Sequence, residues 1–408
     1  MSSTAAEVAY LLTPDAVRER ASDLLKLAER DALEHFAYRA ERLPAAIDWV
    51  LETIRSRYPS LAIPFHSRWR HFTVGDRDRW MELSRELGVV DPAERARVRF
   101  DLAVTSVLLD AGAGARWQYR EPGGAAYARS EGLAVASFHI FRSGAFSSDP
   151  RRPWRADSVG LAGLDIAKLG DGLRVSRENP LPGLEGRLAL LKRTGEALAA
   201  RPDLFGSDGR VGDLFDHLAS QAQSGVVPAR AVLSAIIEGL GSIWPGRLSL
   251  GGVALGDTWR HKAARGAGAS DGYIPFHKLS QWLAYSLIEP LEEAGLRVKE
   301  VEALTGLAEY RNGGLMIDTG LLEPRDPGLL SRSLPFDAEP VVEWRALTVA
   351  LLDLLADGLR AKLGISAQAL PLAKVLEGGT WAAGRRLAEA RRPGGAPPLR
   401  IESDGTVF

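Results

Sequence analysis

Residues 341–364 read VVEWRALTVALLDLLADGLRAKLG, and their spacing decides the fold class. Leu347, Leu351, Leu352, Leu355 and Leu359 recur at three- and four-residue intervals, which places them on one face of a helix. This is the longest helix the sequence predicts. The same periodicity recurs along the chain. Thr13 precedes Pro14, an N-cap followed by proline at the first helical position, and DAVRERASDLLKLAER continues from it. AAIDWVLETIRSRYP puts Ile47, Val50, Leu51 and Ile54 on one side. MELSRELG, AERARVRFDLAVTSVLLDAG, RLALLKRTGEALAA and ARAVLSAIIEGLGSIW read as further helices, and HKLSQWLAYSLIEPLEEAG as one kinked near Pro290.

Strand signals are few. RLSLGGVALGDTW alternates and turns at Gly251-Gly252, as a short hairpin does, and LRVKEV reads as an edge strand. SEGLAVASFHIFRSGAF fits either a strand or a buried helix. Residues 112–129 are glycine-rich and aromatic, a loop suited to lining a cavity, and residues 147–160 read as a surface loop. The expectation is a mainly α protein with a few short strands: one large helical domain over residues 1–390 and an extended tail over 391–408.

Composition narrows the function. The 408 residues are 46% hydrophobic and 25% charged with a net charge of -1, which suits a soluble protein with ample core. The near-neutral balance argues against a nucleic-acid partner, which needs a concentrated basic surface. No run approaches the ~18 apolar residues of a membrane helix, and the start lacks a secretory signal, so the cytoplasm is expected. With no cysteine, thiolate catalysis and cysteine metal sites are excluded. The seven histidines show no HExxH spacing, and neither a phosphate loop nor a GxSxG elbow is present. No metal and no cofactor is expected.

Residues 304–322, LTGLAEYRNGGLMIDTGLL, place Glu309, Tyr310, Arg311, Asn312 and Asp318 in an otherwise apolar run. Such a run excludes charges unless they are paired or used. Gly313 and Gly314 would bring backbone close to an occupant; alternatively, Asn312-Gly313-Gly314 ends a helix. Asp110 ends an apolar run and leads toward Trp117, where it could meet substrate hydroxyls or cap the next helix. In FHSRWRHF, His66 and Arg68 suit an anion or ribose contact, or else a capped turn with paired arginines. Lys278 and Gln281 stand about one turn apart beside His277, ordinarily a solvated face. Asp257, Trp259, Arg260 and His261 mix polar and aromatic groups on a connector.

The strings FHSRWRHF, LLDAGAGARWQY, YIPFHKLSQWL and AEYRNGGLMIDTG resemble the uracil-catabolism protein family of bacteria and fungi, named after the fourth locus of a non-reductive uracil degradation pathway. The resemblance covers nearly the whole chain. A more distant one is to the queuosine salvage nucleotide N-glycosylases. There a helix-ending Asp followed by aromatics resembles Asp110 to Trp117, a Tyr-Lys-x-x-Gln helix resembles His277 to Trp282, Asp-Tyr-Arg resembles Glu309-Tyr310-Arg311, and a late Glu-x-Arg resembles Glu343-Trp344-Arg345, all in the same order. The chain departs in having Glu309 for the Asp, and Gly313-Gly314 for the Pro-Gln after it.

The resemblance implies an all-α, DNA-glycosylase-like fold and cleavage of an N-ribosyl bond, with ribosylurea or its 5′-phosphate split into urea and ribose or ribose phosphate. Such a cleavage passes through an oxocarbenium-like state and needs an anion and a water at the anomeric carbon. Glu309 or Asp318 could supply the anion, and Asp110 could hold the ribose hydroxyls. Lys278, Gln281, His277, Tyr310, Arg311, Asn312, Trp117, Arg345, Arg68 and His66 are the candidate substrate contacts. The expected partners are the small ribosyl substrate and other enzymes of uracil degradation. Two alternatives are a non-catalytic protein that holds an intermediate for a ring-opening enzyme and, on fold analogy alone, a nucleic-acid base glycosylase.

Overall fold

The computed structural model describes residues 3–88, 90–114, 116–244 and 247–402. Helices carry the fold. The strands are short, and among the described residues they form only two-stranded pairs. The described chain divides into two compact units: residues 3–66, 247–281 and 300–402 form the first, and residues 67–244 and 282–299 the second. No helix among the described residues is long and apolar enough to cross a membrane.

The first unit is built on helix Glu339–Leu363. Its five stripe leucines are fully buried, each contributing about 1.5–3 kcal/mol. Helices Pro14–Glu29, Leu43–Arg57 and Tyr310–Asp318 pack around it. Thr13 caps the first of these as expected, its hydroxyl accepting the Ala16 N–H at 3.2 Å. The N-terminal half of Glu339–Leu363 is buried on every side, so its charges must be matched inside. Glu343 accepts the N–H groups of His35 (3.1 Å) and Phe36 (2.8 Å) and meets the His261 ring at 3.1 Å.

Gly313 and Gly314 lie inside helix Tyr310–Asp318, not at its end. A Cβ on Gly313 would stand 2.3 Å from Trp344 Cζ2, so the glycine admits the indole and not a ligand. The expected hairpin is present as Ser249–Leu250 against Val253–Ala254, with Gly251 (φ 58°) and Gly252 (φ 81°) supplying the left-handed turn. Of the expected tail, Arg400–Ile401 pairs in parallel with Ser333–Leu334; residues 403–408 lie outside the described residues.

In the second unit, the ambiguous run near residue 135 is helix Arg129–Arg142. The edge strand Arg297–Lys299 pairs in parallel with Val226–Pro228. The loop 112–129 holds a hairpin, Gln118–Arg120 against Ala126–Ala128. Helix Lys278–Glu293 runs through Pro290. Proline cannot donate to the Ser286 carbonyl. The Trp69 indole N–H donates to that carbonyl instead, at 2.7 Å.

Candidate active site

Glu309 sits at the start of helix Tyr310–Asp318 in extended conformation (φ -124°, ψ 168°). Its carboxylate accepts the N–H of Arg311 at 2.8 Å and of Asn312 at 2.6 Å. These are the unsatisfied donors of a helix N-terminus, where a negative charge is also favoured by the helix dipole. Glu309 is 7% exposed. Burial pushes its carboxyl above the ordinary value; the two N–H bonds and the charges of Lys278 and Arg311 oppose this without overcoming it. A carboxylate offers about four acceptor positions, so roughly two stay open.

Around Glu309, the Asn312 amide donates to the Leu307 carbonyl at 3.1 Å, and Arg311 Nη1 donates to the Gly395 carbonyl at 2.9 Å. The Arg311 guanidinium lies 5.0 Å from the Tyr310 ring centroid. Asn312 Oδ1 and Arg311 Nε are buried without a hydrogen-bond partner among the described residues. The two unsatisfied polar atoms and the raised carboxyl group stand close together in sequence at this helix start, the kind of arrangement that polar-ligand sites use.

Lys278 opens helix Lys278–Glu293 and acts on Glu309 through its charge. Strands Thr258–Arg260 and Tyr273–Pro275 pair with Thr258 opposite Pro275, which carries Asp257 up to Phe276 and His277. The Asp257 carbonyl accepts the Phe276 N–H at 2.9 Å and the His277 N–H at 3.3 Å. Its carboxylate accepts the Lys278 N–H at 3.0 Å and the Trp259 indole at 2.7 Å, and takes both Nη atoms of Arg345 at 2.8 Å. Burial alone would raise Asp257; the Arg345 charge overrides it and holds the carboxyl well below the usual range. His277 has φ 48°, a left-handed conformation that costs about 1–3 kcal/mol in a non-glycine residue. Its ring lies 2.8 Å from the Leu11 carbonyl. Gln281 is buried; its Oε1 accepts the Thr305 N–H at 3.0 Å and its Nε2 bonds the Thr305 hydroxyl, so it straps Thr305 to the helix.

The other candidates lie elsewhere. Asp318 is at the far end of its helix from Glu309, about 13 Å along the axis. Its two oxygens take the Nη atoms of Arg392 at 2.7 and 2.5 Å. His66 bonds Glu377 at 2.9 Å, a carboxylate that Arg57 also meets. Asp110, Arg68 and Trp117 belong to the second unit. There Asp110 accepts the Ser130 hydroxyl at 2.7 Å and pairs with the buried Arg68 at 3.1 Å. Trp117 is a core residue whose indole donates to the Leu173 carbonyl at 3.0 Å. The second unit also has a cleft of about 590 Å³. Its wall arginines are matched: Arg97 grips Asp216, Arg210 grips Asp101 and Glu94, and Arg155 meets Asp157.

The structure thus gathers Glu309, Arg311, Asn312 and Lys278 in the first unit and adds Asp257, which the sequence shows only as one polar residue on a connector. Its partnership with Arg345, 88 positions away, has no local signal.

Residues 10–408 match the family described as a protein of unknown function, DUF1688, and the chain belongs to that family. It is 37% identical to "Uracil catabolism protein 4" of Lachancea kluyveri, with 98% of this chain and 99% of that protein covered. It is 40% identical to "Protein urg3" of Schizosaccharomyces pombe over the same shares. The resemblance to the uracil-catabolism proteins is borne out.

Proposed function

We propose that the protein acts in uracil degradation as an N-glycosidase-type hydrolase, splitting ribosylurea or its 5′-phosphate into urea and ribose or ribose phosphate. The name of its Lachancea relative supports the pathway. The observation that carries the chemistry is Glu309: a buried carboxyl group raised by its surroundings, with open acceptor positions and the opposing charge of Lys278 acting on it. A base works best when its pKa approaches the working pH, and positioned general bases contribute about 10²–10⁴-fold.

In this reading Glu309 orients a water toward the anomeric carbon, takes its proton as the C–N bond breaks, and balances the positive charge on the sugar. The new bond is water oxygen to carbon; the pair from the broken bond leaves with the urea nitrogen, which gains a proton. The Lys278 charge favours the ionised form of Glu309 against the burial that raises it. The Asn312 Oδ1 orphan suits a ribose hydroxyl or a urea N–H. The enzyme works in the cytoplasm, in step with the other enzymes of uracil degradation.

Purified protein incubated with ribosylurea, and separately with its 5′-phosphate, is expected to release urea from one of them, and Glu309→Gln to abolish release. Urea from neither compound rejects this substrate. One observation favours a second reading, a non-catalytic holder of an intermediate: both Glu309 oxygens already serve as a helix cap. A holder would be thermally stabilised by either compound, would leave it intact, and would co-purify with a ring-opening enzyme.

A further inference from the structure

The start of helix Lys278–Glu293 is unusual. His277 occupies the capping place, since its carbonyl accepts the Gln281 N–H at 2.8 Å. Yet its ring is turned to the Leu11 carbonyl and its backbone is left-handed, so it caps nothing with its side chain. The cap comes from 21 positions away, where the Asp257 carboxylate accepts the Lys278 N–H. The same residue clamps Phe276 and His277 through its carbonyl. Arg345 fixes Asp257 in turn, and its guanidinium lies 4.0 Å from the Phe276 ring centroid. Three consecutive residues ending at Lys278 are thereby held by one aspartate.

We propose that Asp257 is a positioning residue: bidentate on Arg345 and bonded to the Lys278 N–H, it sets the helix start from which the Lys278 charge acts on Glu309. This rests on the roles given above to Glu309 and Lys278. The charged groups facing Glu309 are Lys278 and Arg311; the titratable groups facing Asp257 are Arg345 and His277, and Lys278 meets it through the backbone N–H. Two effects of Asp257→Asn therefore have opposite signs. Losing a negative charge lowers a neighbouring carboxyl's pKa. Letting the Lys278 ammonium drift away raises that of Glu309, by up to roughly 1–3 pH units for full loss of an adjacent cation.

The test is an infrared pH titration of the whole protein. The protonated-carboxyl band that disappears in Glu309→Gln belongs to Glu309 and reports its titration without any substrate. Asp257→Asn is expected to move this midpoint upward, and to move it no further upward in a Lys278→Met background. A midpoint that stays or falls, or an equal upward move in both backgrounds, overturns the proposal. If Asp257→Asn does not fold by circular dichroism, Arg345→Lys, which keeps the charge but loses the bidentate fork, is expected to give the same sign. Failure of the wild-type protein to release urea counts against the substrate, not against this positioning role.

Discussion

The Trp344 indole N–H donates to the Gly313 carbonyl at 3.0 Å, and its ring fills the space a Gly313 side chain would need. Helices Tyr310–Asp318 and Glu339–Leu363 meet through this contact, which fixes the helix that Glu309 caps. Gly313→Ala is expected to lower stability by about 1–3 kcal/mol through overpacking, read as a reduced urea midpoint. Gly314→Ala meets only Pro398 at 3.1 Å and gains helix propensity of about 0.5–1 kcal/mol, so it should stay near wild type. Equal losses in both would show that the Trp344 contact is not what matters.

Glu309 should leave a mark on stability as well as on rate. Its carboxyl is raised, so between the ordinary value of 4.5 and its own midpoint the folded state binds more protons than the unfolded chain. Stability contributed by that proton is present at low pH and lost as pH rises through the midpoint. The Tm of Glu309→Gln minus that of wild type should grow as pH rises above 4.5 and level off once Glu309 is ionised in the folded state. A constant difference would count against a raised carboxyl.

Asp318 is expected to separate structure from chemistry. Its pairing with Arg392 ties the end of helix Tyr310–Asp318 to the segment after residue 391. Asp318→Asn should cost about 1–3 kcal/mol in urea denaturation. Under conditions where the variant is folded, urea release should persist. Loss of release equal to that of Glu309→Gln would return Asp318 to the reacting centre.

In the second unit, Glu121 is the carboxylate to follow in acid. It accepts Arg79 at 2.9 and 2.7 Å and meets His139 at 2.8 Å. Burial would raise it, but the Arg79 and His139 bonds prevail and hold it down to about 2. Its contribution is therefore present above 4.5 and lost as pH falls from there toward about 2. Glu121→Gln should cost about 3–5 kcal/mol at neutral pH, and the gap to wild type should close in acid. A gap that does not narrow would mean the pair is not what Glu121 supplies.

The helices were legible because their signals are local: the leucine stripe of residues 347–359 and the Thr13-Pro14 cap sit within a few residues of what they specify. The hairpin at Gly251-Gly252 was legible for the same reason. Glu309 was legible as a charge in an apolar run, but its role as a cap was inverted, because Asn312-Gly313-Gly314 resembles a helix stop while the glycines answer to Trp344. The pairing of Asp257 with Arg345 was hidden by distance along the chain. Paired strands such as Phe36–Tyr38 with Leu322–Pro324 are three residues long and carry no periodic signal of their own.

The way the chain is divided also bears on the order in which it can fold. Most of the second unit, residues 67–244, is contiguous, so its core can form while the ribosome is still adding the remainder. The first unit cannot: helix Pro14–Glu29 lacks its main neighbour until Glu339–Leu363 has emerged. At roughly 5–20 residues per second, that opening segment waits tens of seconds with its apolar face uncovered. During synthesis, helix Pro14–Glu29 therefore depends on a chaperone more than the contiguous stretch of the second unit does.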